Sequence, residues 1–196
     1  MAISIVLQIL IAWIYGHFLE YFLHIMMHDY KRFPYLFQHH FGGHHKLSRN
    51  NEMRDSSYEN ILDRSSLFEI GSIAIGLLLH LPIAFFFPYS YATLVIGLCI
   101  YYIVHRKSHI DIAWAKKYLP WHYDHHMNSN QHANWGVRLP FVDWIFGTRV
   151  ERTISRKEII KKIIEMNKIK CSMRSSELYS NSDLTTEKKC DKKNST

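Results

Sequence analysis

Charge is missing from long parts of this chain. Met1 to Leu19 contains no Asp, Glu, Lys or Arg, and neither do the 35 residues from Ile70 to Val104. Those four residue types make up only 21% of the 196 residues, against about 25% in an average soluble domain. Cysteine is scarce as well. Cys99, Cys171 and Cys190 stand far apart with no CxxC spacing, which excludes a disulfide framework and a thiolate zinc site. The N-terminal apolar run lacks a basic leading segment and a small-residue cleavage site, so it reads as a retained helix and not as a signal peptide. No internal repeat is present.

The length allows one compact domain plus a tail. The run Ile3 to Leu23, interrupted by Gln8, His17 and Glu20, approaches the ~20 residues that a membrane span requires. Ile70 to Val104 is too long for one span, and Pro82 and Pro88 punctuate it. It reads as a hairpin of two helices turning near Phe87-Pro88-Tyr89, each arm short for a bilayer core of roughly 30 Å at about 1.5 Å per residue. The expected fold is an all-α integral membrane protein with about three transmembrane or membrane-embedded helices and a histidine-rich helical cap.

The basic residues Lys31, Arg32, Lys46, Arg49, Arg106 and Lys107 flank the spans on the side that carries the polar segments. By the positive-inside rule that side is cytoplasmic and Met1 is outside. Asp29 to Arg64 and His105 onward then share the inner face. Of the formal net charge of +7, the stretch from Glu151 onward contributes +5, from 12 Lys and Arg against 7 Asp and Glu. A basic segment beside apolar helices points to anionic lipid and away from nucleic acid. Residues 1–150 are expected to form the membrane-embedded domain. Residues 151–196 are expected to form a basic amphipathic helix, with Ile154, Ile159, Ile160, Ile163 and Ile164 at helical spacing, followed by a disordered tail from Cys171.

Histidine is what the chain has in excess, 14 of 196 residues. Most fall in four clusters: His24 and His28; His39, His40, His44 and His45; His105 and His109; His122, His125 and His126. Residues three and four apart share a helix face, so each cluster can aim two or three imidazoles at one point. His24, His28, His40, His44, His45, His105, His109, His122, His125 and His126 are ten candidate metal ligands, more than one ion can use and enough for two. An all-imidazole set suits iron, zinc or copper and not calcium or magnesium. A membrane-surface setting favours redox-active iron, with zinc as the other candidate. His17 and His80 each stand alone in apolar sequence and read as hydrogen-bonded polar residues inside the bundle. His39 and His132 remain open between a supporting and a substrate-facing role.

Glu20-Tyr-Phe-Leu-His24, the paired clusters, Trp121-His-Tyr-Asp-His-His126 and Asn134-Trp-Gly-Val-Arg-Leu-Pro-Phe-Val-Asp-Trp-Ile-Phe-Gly-Thr148 together resemble the fatty acid hydroxylase and sterol desaturase superfamily of membrane histidine-box enzymes. The resemblance covers about Glu20 to Thr148. It implies a di-metal centre taken as di-iron, a lipid substrate, molecular oxygen, and an external electron donor of the cytochrome b5 or ferredoxin type. It implies O2-dependent lipid hydroxylation. A desaturase or carotenoid hydroxylase of the same architecture is the alternative within that class, and a non-catalytic membrane metal-binding protein the alternative outside it. The membrane is expected to be the endoplasmic reticulum in a eukaryotic host and the cytoplasmic membrane in a bacterial one. One departure concerns the second box: the family's common HxxHH would put a histidine at Phe41, whereas His40 here gives HxxxHH, a form found in related desaturases. Asp111 and Asp124 stand open between orienting ring N–H groups and being solvated surface acids, Asp143 is expected to hold a turn that closes the cap, and Trp121 and Trp135 to anchor at the membrane interface.

Overall fold

The computed structural model describes residues 4–152, 160, 163, 164 and 166–170. The described residues are helical and irregular, with no strand among them. Residues Met1–Arg152 make one compact unit and Thr153–Thr196 a second. In the second, the described residues are helical, and Ile160, Ile163 and Ile164 are exposed. The remainder of the expected basic helix, including Ile154 and Ile159, and the tail from Cys171 lie outside the described residues.

Helix α1 (Ile5–Met27) begins at Ser4, whose hydroxyl accepts the Leu7 N–H at 3.3 Å, satisfying one of the donors that a helix start leaves unpaired. Its 23 residues reach about 35 Å, enough for the bilayer core. Beyond it Asp29 accepts the N–H groups of Lys31 and Arg32, which turns the chain into a cap built from short helices. These are α2 (Pro34–His39), a π-helical turn (His40–His45), α3 (Lys46–Asn50) and a 3₁₀ turn (Ser56–Glu59).

The hairpin follows as α4 (Arg64–Leu79), α5 (Leu81–Phe86) and α6 (Pro88–Ile110). Phe87 is the turn and Pro88 opens α6, where its missing N–H costs nothing. Both arms run beyond the charge-free stretch, to Arg64 and to Ile110. The first arm is also broken at His80, one residue before Leu81 and Pro82 start α5. Of the two arms only α6, with 23 residues, is long and apolar enough to cross a membrane, as is α1. The 16 residues of α4 reach only about 24 Å. The chain is thus an all-α membrane protein with two helices of spanning length and a shorter embedded arm.

Val6, Leu78, Phe85, Ile96 and Ile103 on these helices are all exposed. Continuous apolar surface of this kind needs lipid against it. Helices α1 and α6 pack along each other, α4 leans on α6, and α1 and α4 scarcely approach. The cap is completed by α7 (Ile112–Tyr118), α8 (Pro120–Met127) and α9 (Phe141–Phe146).

The loop from Asn128 to Pro140 folds back onto α1. Buried Asp143 accepts the N–H groups of Trp135 and Gly136 and the Thr148 hydroxyl, each at 2.8 Å, so the expected cap-closing turn is present. Only glycine fits at 136, because a Cβ there would lie 2.3 Å from the Leu139 carbonyl oxygen. Gly147 ends α9 with φ +67°, the left-handed conformation that glycine adopts freely.

Candidate metal centre

Each histidine cluster sits at the cap end of a long helix or in the cap itself, and all ten candidate ligands converge. None is more than 9% exposed. His24 and His28 end α1, His105 and His109 end α6, and His122, His125 and His126 lie on α8, all at α-helical spacing. The HxxxHH box is accommodated differently. Residues 40–45 form a π-helical turn, closed by i→i+5 hydrogen bonds and so one residue wider than an α-turn. The wider turn absorbs the extra residue and brings His45 back over His40 beside His44, as an α-helix would present HxxHH.

The ring nitrogens sort into two neighbouring groups, His24, His28, His40, His45 and His125 in one and His44, His105, His109 and His126 in the other; within each the ligating atoms lie within 4.8 Å of one another. His122 stands at the edge of the second group, its Nε2 3.2 Å from that of His109. The adjacent residues His44 and His45 serve different groups, as do His125 and His126, and the His45 and His126 rings are 4.2 Å apart.

Tautomers decide whether such packing fits a metal. The Nδ1–H groups of His24, His109 and His125 donate to the carbonyls of Trp135, Met53 and Ala133 at 2.6, 2.8 and 2.7 Å. His45 Nδ1 donates to Gln131 Oε1 at 3.2 Å. Each Nε2 of these rings then carries a bare lone pair. Yet the Nε2 atoms of His45 and His125 face each other at 3.0 Å, which repels unless a cation lies between them. Two nitrogens bound at right angles, each about 2.1 Å from one ion, stand about 3.0 Å apart. His24 and His40 meet at 3.0 Å and His28 and His45 at 3.2 Å through the same atoms. In the second group, the Nε2 atoms of His44 and His105 and both ring nitrogens of His126 are buried without a hydrogen-bond partner. Such groups are rare unless something unseen satisfies them, and this donor set fits two imidazole-bound metal ions.

Electrostatics keep the ligands in the form a metal needs. Burial, aided by the charge that His24 would carry, lowers His28 to about 2. Burial likewise holds His40, His45, His122, His125 and His126 well below the ordinary 6.5, and lowers His44 despite its bond to Asp55. These rings are neutral near pH 7, with lone pairs available.

Of the two readings open for Asp111 and Asp124, the ring-orienting one holds for neither residue. Asp111 caps α7 by accepting the Trp114 N–H, and Asp124 pairs with Arg149 at 3.0 Å. On α8, Asp124 lies between His122 and His125, and a one-residue step turns it off the face that His125 shares with His122. Asp55 instead binds His44 Nδ1 at 2.8 Å and Glu69 binds His105 Nδ1 at 2.7 Å. Burial would raise Asp55, but its bonds from His44 and Ser57 prevail and lower it, so it stays anionic. Glu69 left a faint sequence signal as the last charge before the apolar run; Asp55 left none.

Trp135 is corrected. It is 5% exposed and packs edge-on against His28 at 4.8 Å, so it walls the centre and does not anchor at an interface. Trp121 donates to the Val137 carbonyl at 2.8 Å. His80 is hydrogen bonded as expected, to Gly76 and Tyr15. His17 is not: it is buried beside Phe141 and Trp13 with neither ring nitrogen partnered. His39 stacks on Phe68 at 4.3 Å, and His132 lies 5.7 Å from His28.

An apolar cavity of about 290 Å³ opens beneath the histidines between α1, α4 and α6. His24, His40, His44 and His105 form its upper end, Leu19, Leu23, Phe68, Ile73 and Leu94 its sides, and His80 its far end. On α1 its lining runs from Ala12 to Met27, about 22 Å of helix.

Comparison with curated proteins and comparison with solved structures each give no match. The family model described as fatty acid hydroxylase matches residues 9–148, a stretch that holds all ten candidate ligands and the cavity, and the chain belongs to that family, within the sterol desaturase/fatty acid hydroxylase superfamily.

Proposed function

We propose that the protein is a lipid hydroxylase that uses O2 and two iron ions at the cytoplasmic face of its membrane. His24, His28, His40, His45 and His125 hold one ion. His44, His105, His109 and His126 hold the other, with His122 completing that set beside His109. The observation that carries this reading is the meeting of two buried histidine groups with the upper end of an apolar cavity. When bound, the metal pair supplies the oxygen activation that an unactivated C–H bond demands. One oxygen atom enters that bond, the other leaves as water, and two electrons with two protons come from an external donor, of the cytochrome b5 or ferredoxin type.

The chain's own contribution is placement and exclusion. Leu19, Leu23, Phe68 and Ile73 hold an alkyl chain extended, so that one carbon is presented to the histidine end. Burial of the ligands and of Trp135 keeps bulk water from the centre. Asp55, Glu69 and the carbonyls of Met53, Ala133 and Trp135 fix the ring tautomers.

The test is metal analysis of detergent-purified protein expressed with iron, beside the His125→Ala, His126→Ala variant, followed by mass analysis of host lipids. About two ions per chain, lost in the variant, with products heavier by one oxygen, are expected. Products lighter by two hydrogens would make the enzyme a desaturase, and a folded protein without metal would overturn the oxygenase reading.

A further inference from the structure

One charged group sits in the cavity wall where the metal chemistry has no use for it. Arg138 comes from the cap loop, yet its side chain enters the helix bundle and is 8% exposed. Its Nε donates to Glu20 Oε2 at 2.5 Å, and Glu20 Oε1 accepts the Arg138 N–H at 3.0 Å. The guanidinium lies over the Trp13 ring at 5.5 Å. Two glycines make room for it. A Cβ on Gly97 would lie 2.7 Å from Nη1, and one on Gly16 would lie 3.5 Å from Nη2.

Gly16, Gly97, Glu20 and Arg138 all line the cavity. Neither terminal nitrogen of Arg138 has a hydrogen-bond acceptor among the described residues, although a guanidinium carries five donors and stays charged. Three other polar side chains of the lining have already committed theirs. Ser72 and Thr93 donate to the carbonyls of Phe68 and Tyr89 on their own helices, and His80 is taken by Gly76 and Tyr15. Arg138 therefore offers the cavity charged, unspent donors, level with Gly16 and Gly97. Those glycines lie eight residues before His24 and His105, about 12 Å along the helices.

We infer that Arg138, braced by Glu20, is a receptor for a neutral oxygen of the lipid, a hydroxyl or a carbonyl. This rests on the reading of the cavity as the lipid slot. The argument for a neutral group is electrostatic. Glu20 already balances the guanidinium, so a bound carboxylate would leave one uncompensated charge in a low-dielectric wall, which is costly. A neutral acceptor satisfies the spare N–H groups without adding charge. A plain alkane leaves them unmet.

The test uses full-length purified protein and tritiated hexadecan-1-ol, displaced by unlabelled hexadecan-1-ol, hexadecane or hexadecanoate. The alcohol is expected to compete about tenfold better than the alkane or the ionised acid, the equivalent of one well-made hydrogen bond. In the Glu20→Gln, Arg138→Gln variant, which removes both charges together, that preference should shrink to below about threefold. Metal content should match wild type, reporting that the fold survives. Equal competition by hexadecane, stronger competition by hexadecanoate, no retention of the alcohol, or a preference that persists in a metal-replete variant would each overturn the assignment. The wild-type comparison decides even if the variant does not fold. Because binding is read without turnover, failure of the hydroxylase reading shows separately, as absent metal or absent oxygenated product.

Discussion

His44 and Asp55 illustrate what single residues contribute that spacing cannot reveal. The ten imidazoles were legible because helical periodicity turns a one-dimensional interval into a shared face, and each cluster is short enough for that rule to hold. Their hydrogen-bond acceptors come from elsewhere in the chain: Asp55 from the cap, Glu69 from α4, and three from backbone carbonyls. A carboxylate adjacent in sequence, such as Asp124, lies off its neighbours' shared face and meets Arg149 instead. This arrangement yields a discriminating prediction. Asp55→Asn and Glu69→Gln keep the side-chain shape but lose the charge that holds Nδ1–H, and each should weaken metal binding by about 10- to 100-fold. Asp124→Asn should leave binding unchanged. Competition with a chelator, read as metal retained per chain, measures all three, and a loss in Asp124→Asn equal to that in Asp55→Asn would sink this account of the carboxylates.

Among the elements, proline announced the hairpin turn, since a residue lacking an N–H can open α6 but cannot sit inside it. The shortness of the first arm was expected, and Pro82 marked the break at His80; the spanning length of α6 was harder to see, because the helix does not stop where the charge-free run does and continues to Ile110. The π-helical turn was invisible for a different reason. HxxxHH read on an α-helix sends His45 well away from His40, and only i→i+5 closure restores a common face. That closure makes the turn sensitive to chain length. One alanine inserted between Gly43 and His44 should swing His44 and His45 away from His40, removing one ligand from each histidine group at once. Metal content should fall from about two ions to below one per chain while the helical circular dichroism is kept, because the long helices do not depend on this turn. Full metal content in the insertion variant would show that the cap can re-register, and that the π-turn does not set the ligand geometry.

For the molecule as a whole, the two long helices and the histidine-rich cap followed from where charge and histidine lie in the sequence. An apolar cavity bounded by α1, α4 and α6 follows from a packing fact no sequence pattern records: α1 and α4 both approach α6 but not each other. The cavity's extent then limits how much alkyl chain fits below the histidines. Gly76 lines its far end, and an added Cβ there would meet nothing within 4 Å, so a bulky side chain can grow into empty space without the overpacking that a filled core would impose. Gly76→Trp should therefore shorten the cavity and leave the metal centre alone. In retention assays with tritiated 1-alkanols, wild-type protein should hold hexadecanol more tightly than decanol, since each added methylene that is buried contributes about 0.8 kcal/mol. The variant should lose that advantage by about tenfold or more while binding decanol and metal as wild type does, because roughly two lost methylenes suffice for such a change. An unchanged preference for the longer alcohol would mean that the chain does not run toward His80 and leaves the bundle earlier, through the gap between α1 and α4.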